Sequence, residues 1–235
     1  MSFIITVYTN EGIIMASDSR TTYTTTTKQP DGVIKERIGV QTTDSTYKTF
    51  LCPNNVGIST CGTASISNVP IAGFIEKFII DKVSIDCTVQ EVAHGLLDYF
   101  SQYTPIPDTH FMVAGYNEQK QREVYTVYVA SGTVELQDTL SPGIIWDGES
   151  DVFKRLVKTV AIKNNDGTYT NIPSYSTGYD FFTLQDAIDY AEYAVDVTIK
   201  TMFFQDRVKT VGGAIDILAI KPNGSFWIKR KELHA

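Results

Sequence analysis

The sequence predicts an α+β fold in which helices cover the outer faces of two stacked antiparallel sheets, a four-layer αββα sandwich. Two observations carry this. The elements come in blocks (strands, two consecutive helices, strands, one or two helices, a last hairpin) rather than in strict alternation, which disfavours a doubly wound parallel sheet. The strand runs are joined by short turns, whereas the helical runs open on capping boxes and keep a helical apolar period.

Two apolar runs, Ser2–Tyr8 and Ile13–Arg20, flank a short polar turn ending at Gly12 and read as a β-hairpin. The threonine-rich run Thr21–Thr27 has the β propensity of an exposed ribbon, and Pro30-Asp31-Gly32 turns the polar segment that follows. Lys48–Cys52 and Val56–Cys61 form a second strand pair around Pro53-Asn54-Asn55. After Gly62-Thr63-Ala64-Ser65 the period changes. Val69, Ala72, Phe74, Ile75, Phe78 and Ile79 mark a first helix, with Pro70 in its first turn.

Thr88 and Glu91 form a capping box for a second helix, which buries Val89, Val92, Ala93, Leu96, Leu97 and Phe100 and is stopped by Pro105 and Pro107. Phe111–Tyr116, Glu123–Val129 and Thr133–Gln137 read as strands. Ser141 to Glu149 reads as a loop, and Ser150 as the cap of a short helix to about Val157. The polar stretch 163–178 reads as a surface excursion. Thr183 and Asp186 open a long helix with Leu184, Ala187, Ile188, Ala191, Val195, Ile199, Met202 and Phe203 inward. Ala214–Lys221 and Ser225–Lys231 close the chain around Pro222-Asn223-Gly224.

No linker, repeat or long low-complexity tract divides the 235 residues, so one domain over 1–235 is expected. The 43% apolar content is enough for a real core. A net charge of −7 without a basic cluster argues against nucleic acid as a partner. No run is long enough to span a membrane, and the opening stretch lacks a signal peptide's basic flank. Three unpaired-looking cysteines (Cys52, Cys61, Cys87) fit a reducing, cytoplasmic setting. His94, His110 and His234 lie far apart without metal-ligand spacing, so neither a zinc site nor any other cofactor is expected.

Chemistry enters at the N-terminus. If Met1 is removed, Ser2 presents a hydroxyl and an α-amino group on one residue. Such an amine has an unperturbed pKa of about 7.7–8.0 and can act as base toward its own hydroxyl, the logic of N-terminal nucleophile catalysis.

Taken in order, Ser2, Gly12, Asp18-Ser19-Arg20, Lys48 and Cys61-Gly62-Thr63-Ala64 resemble the β-subunits of the proteasome and their bacterial relatives, the HslV-type peptidases and the Anbu family. The likeness is strong over about the first 30 residues and over 47–105, rests on element order alone between about 110 and 180, and returns at the last helix, Gly212-Gly213 and the closing hairpin. It implies an αββα fold and a homo-oligomeric ring that hydrolyses peptide or protein substrate in a closed chamber, with an ATP-dependent unfoldase as a candidate partner.

By the same resemblance Ser2 takes the place of the family's N-terminal threonine, Asp18 matches the family aspartate and Lys48 the lysine beside the nucleophile. A backbone N–H at Cys61 or Gly62 would be the oxyanion donor. Lys35 competes with Lys48, because the segment between Thr21 and Tyr47 is longer than in the family. Asp206 is a candidate for a second aspartate, and Asp147 occupies the place of a family serine. The chain has Cys61-Gly62 where Gly-Gly is usual, and Ser65 where an acidic residue is usual. Two other readings stay open: an amidase of the same superfamily acting on a small amide, and a catalytically silent ring subunit.

Overall fold

The computed structural model of the chain describes residues 2–233, the side chains of residues 26, 28, 36 and 38 apart; the expectations for Met1 and His234 fall outside it. The elements follow in the order β1 (Phe3–Tyr8), β2 (Ile13–Ser17), β3 (Thr21–Lys28), β4 (Ile34–Thr43), β5 (Thr49–Leu51), β6 (Gly57–Gly62), β7 (Ser65–Ile66), β8 (Val69–Pro70), α1 (Ile71–Lys82) and α2 (Val89–Phe100). Then come β9 (Thr109–Tyr116), β10 (Arg122–Tyr128), β11 (Thr133–Leu136), β12 (Gly143–Gly148), α3 (Asp151–Val157), β13 (Ala161–Lys163), β14 (Tyr169–Asn171), α4 (Leu184–Phe204), β15 (Asp216–Lys221) and β16 (Gly224–Lys229).

The chain is α+β. Two five-stranded sheets dominate, in the orders β12-β1-β2-β15-β16 and β11-β10-β9-β6-β5, and every pairing within them is antiparallel. Their side chains alternate between two apolar surroundings, as a pleat requires. In β1, Phe3, Ile5 and Val7 pack with Phe153 of α3 and Ala191 and Val195 of α4. Ile4 and Tyr8 turn the other way and meet Met112, Ala114 and Val124 of the second sheet. That sheet buries its opposite face, including Phe111, Val113 and Val127, against Ile75 and Phe78 of α1 and Leu96 and Phe100 of α2.

Because both faces of β1, β2 and β15 are covered, their sequences read as unbroken apolar runs rather than as alternation. That is why the hairpins were legible. Both capping boxes form: Thr88 Oγ1 accepts from Glu91 N and Thr183 Oγ1 from Asp186 N, each acidic side chain answering to the cap's own N–H.

Four readings change. Residues Gly143–Gly148 form β12 and pair with β1 instead of looping. Their apolar portion is only Ile144-Ile145-Trp146, and the flanking Pro142-Gly143 and Asp147-Gly148 resemble turn punctuation. Val69 sits exposed in the two-residue strand β8, so α1 begins at Ile71 with Pro70 as its N-cap. Phe203 is 68% exposed, because its neighbour Met202 takes the inward position and one residue on a helix turns about 100°. The 163–178 stretch is exposed, but its start pairs as the β13–β14 hairpin.

Candidate active site

Asp18 follows β2 directly and is fully buried. Its Oδ1 accepts from Phe3 N at 3.0 Å and from Lys48 Nζ at 2.7 Å. Its Oδ2 accepts from Arg20 N at 3.1 Å and Gly212 N at 3.0 Å. One carboxylate thereby ties the start of β1, the entry to β5 and the Gly212-Gly213 segment together. Four donors on one carboxylate offset the cost of burying its charge.

Lys48 precedes β5 and is equally hidden, with its ammonium also donating to Arg20 O. Burial lowers the pKa of Lys48 from its ordinary value, and this outweighs the opposing attraction of Asp18. Lys35 lies exposed on β4, out along the β3–β4 hairpin, so Lys48 is the lysine that the fold brings to this place. Below it, Thr49 Oγ1 donates to Ser17 Oγ at 2.8 Å and stands 3.0 Å from Ser59 Oγ, a buried hydroxyl chain.

Ser2 and Lys48 line one small pocket with Thr21, Thr46, Thr60, Cys61, Gly62, Thr63, Ala64 and Ile71. Ser2 is held by its own backbone: its carbonyl accepts from Glu149 N at 2.7 Å. Gly148, opposite Phe3, has φ +88°, and a Cβ there would lie 1.9 Å from Ser2 O. Only glycine lets β12 pass so close.

At the pocket rim, Thr60 N–H donates to Lys48 O and Thr63 N–H to Asp108 O. Alternation along β6 then turns the Cys61 N–H toward its ladder partner His110 and the Gly62 N–H away from β9, which makes Gly62 the better placed of the two oxyanion candidates. Gly62 has φ +100°, and a Cβ on it would stand 2.3 Å from Asp108 O. The Cys61 thiol is buried, and burial reinforced by the nearby Asp147 charge pushes its pKa well up.

Asp206 lies exposed beyond the end of α4 and is not among the pocket's lining residues. The long spacing to Gly212 is taken up by the chain that leads back to Asp18. Asp147, on β12, instead meets His110 of β9: Nδ1 of the imidazole is 2.8 Å from Asp147 Oδ2. That hydrogen bond raises the His110 pKa against the lowering effect of partial burial; Asp147 is lowered, burial opposing and the bonds from His110 and Gly148 N prevailing.

Several contributors carry no local signal in the sequence. Ser17, Ser59 and Thr49 look like ordinary strand hydroxyls, and Glu149 is defined only by the register of β12. The Asx-turn character of Asp147-Gly148 was the one available hint.

These two antiparallel sheets, with the helices packed on them, share the fold of Anbu, a bacterial relative of the proteasome β-subunit. The structure superposes on the Anbu (Gly-1) mutant from Hyphomicrobium sp. strain MC1 with a TM-score of 0.62 and 14% identity, covering 98% of this chain and 86% of that one. Anbu from the same strain gives 0.60 and 14%, over 97% and 86%. Anbu (ancestral beta-subunit) from Yersinia bercovieri gives 0.59 and 15%, over 96% and 86%. No family model and no curated protein matches the sequence. No helix among the described residues is long and apolar enough to cross a membrane.

Proposed function

We propose that the chain is a single-domain N-terminal nucleophile hydrolase with a four-layer αββα sandwich, cleaving peptide bonds with Ser2 as nucleophile once Met1 is removed. The observation that carries this reading is the buried Asp18–Lys48 pair, whose lysine lines one pocket with Ser2. Two burial-expensive charges at that one place are hard to explain as packing, since apolar residues would fill the space at no loss of stability.

In the proposed reaction the free α-amine of Ser2, kept basic by the neighbouring Lys48 cation, takes the proton of Oγ as it attacks the carbonyl. General-base assistance of this kind is typically worth about 10²–10⁴ in rate. The N–H of Gly62 or Cys61 receives the developing oxyanion, worth about 2.7–4 kcal/mol. The amine then returns the proton to the leaving nitrogen, and water hydrolyses the ester on Ser2.

A second hollow of about 270 Å³, between Thr22–Thr24 and Gly62–Ser65, adjoins the Ser2 pocket through Gly62, Thr63 and Ala64. β3 pairs with β4 on one side, and its other edge suits an extended peptide added as a strand. This favours a peptide over a small amide. Assembly into a homo-oligomeric ring in the cytoplasm, fed by an unfoldase, belongs to the same proposal.

Intact mass spectrometry should find the purified chain without Met1. Ser2→Ala should abolish hydrolysis of a fluorogenic peptide while its circular dichroism stays that of wild type. Retained Met1, or full activity in Ser2→Ala, would overturn the reading.

A further inference from the structure

We propose that Cys61, His110 and Asp147 form a binding site for a divalent transition metal of the zinc class, beside the Ser2 pocket. One ligand atom from each residue lies within 4.8 Å of the others. In a tetrahedral zinc site such atoms stand about 3.5 Å apart, so side-chain rotations of about 1 Å close the cluster.

The three residues sit on three strands. Cys61 of β6 and His110 of β9 are directly opposed in the antiparallel ladder, which sends their side chains to the same face. Asp147 reaches them from β12, at the edge of the other sheet. Rigid strands, rather than loops, therefore set the ligand directions.

The remaining imidazole nitrogen is also provided for. His110 Nε2 is 3.5 Å from Asp108 Oδ1, and the ring is held by an edge contact with Tyr128 at 4.7 Å between centroids. A carboxylate on the far nitrogen is the usual support of a metal-bound histidine. It leaves Nδ1, the nitrogen facing Asp147, for the ion.

Thiolate with imidazole and carboxylate selects zinc-like ions over magnesium or calcium. Three protein ligands leave a fourth position open, as in sites that exchange a small ligand. On binding, the Cys61 S–H proton leaves to solvent as the sulfur–metal bond forms, and the Nδ1 proton that faces Asp147 is given up, the neutral imidazole keeping its one N–H on Nε2 toward Asp108. The Cys61 side chain is close to Ser2: a Cβ on Gly148 would touch both Cys61 Cβ, at 3.4 Å, and the Ser2 carbonyl. An ion here would therefore add positive charge next to the nucleophile.

The test uses the full-length, chelator-treated protein in the Ser2→Ala background, so that its result is independent of hydrolysis. Titration with Co²⁺ should reach one ion per chain and develop a thiolate-to-cobalt charge-transfer band, and Zn²⁺ should displace it. Cys61→Ser should lose the band, which excludes Cys87 as the sulfur. His110→Ala, with circular dichroism unchanged from that of the parent, should weaken binding at least about 10-fold. Absence of saturable uptake at one ion per chain would overturn the proposal. So would unchanged affinity and spectrum in both variants.

Discussion

Lys48 and Asp18 depend on each other. Lys48→Met leaves a fully buried carboxylate with three neutral donors and no counter-charge, which should cost about 3–5 kcal/mol in urea unfolding. Peptide hydrolysis should fall by about 10²–10⁴ in the same variant. Adding Asp18→Asn should recover much of the stability and none of the activity, since the second change removes the stranded charge but restores no cation. The pH dependence has a defined sign. Burial lowers the Lys48 pKa in the folded chain, so between that value and the ordinary 10.5 the unfolded chain holds more protons. Stability contributed by this group therefore rises with pH through that window, while activity that needs the cation falls. Rate profiles should show an alkaline limb beginning below 10.5; a limb at or above it would remove Lys48 from the reaction.

At the scale of elements, β12 is the strand that seats Ser2. It pairs with β1 from Phe3 to Tyr8, and its last residue passes against the Ser2 carbonyl. Gly148→Ala should cost at least about 1–3 kcal/mol from the left-handed backbone alone. The added methyl would also push on Ser2, so activity should drop with stability. Gly132→Ala is the control: it also has a positive φ, +69°, but open space around the missing Cβ. It should cost only the backbone part and leave hydrolysis unchanged, as read by urea melts and peptide turnover on the same samples.

For the molecule as a whole, some of the large apolar residues left outside the core sit at helix ends. Phe203, Phe204 and Val208 lie at and beyond the end of α4, and Ile80 and Ile85 lie at and beyond the end of α1. Exposed large side chains of this kind fit covered surfaces in an assembly. Sedimentation velocity should find a species several times the mass of one chain. Phe203→Ser with Phe204→Ser should shift it toward smaller species without loss of helix content. A wild-type monomer at micromolar concentration would contradict the ring.

Much of this was legible in the residues themselves. The hairpin at the N-terminus, both capping boxes and the α4 stripe follow from local spacing, because strand pleat and helix turn impose their periods on adjacent residues. Asp18 and Lys48 stood out through an ordered likeness to a known family. Their 2.7 Å contact and complete burial are properties of the fold. The register of β12 could not be read, since three apolar residues between two turn-like pairs carry no period. The meeting of Cys61, His110 and Asp147 was equally hidden. Local ligand spacing reports only sites built within one turn or loop, and these three residues come from separate strands of two sheets, brought together by the burial of the apolar layer between them.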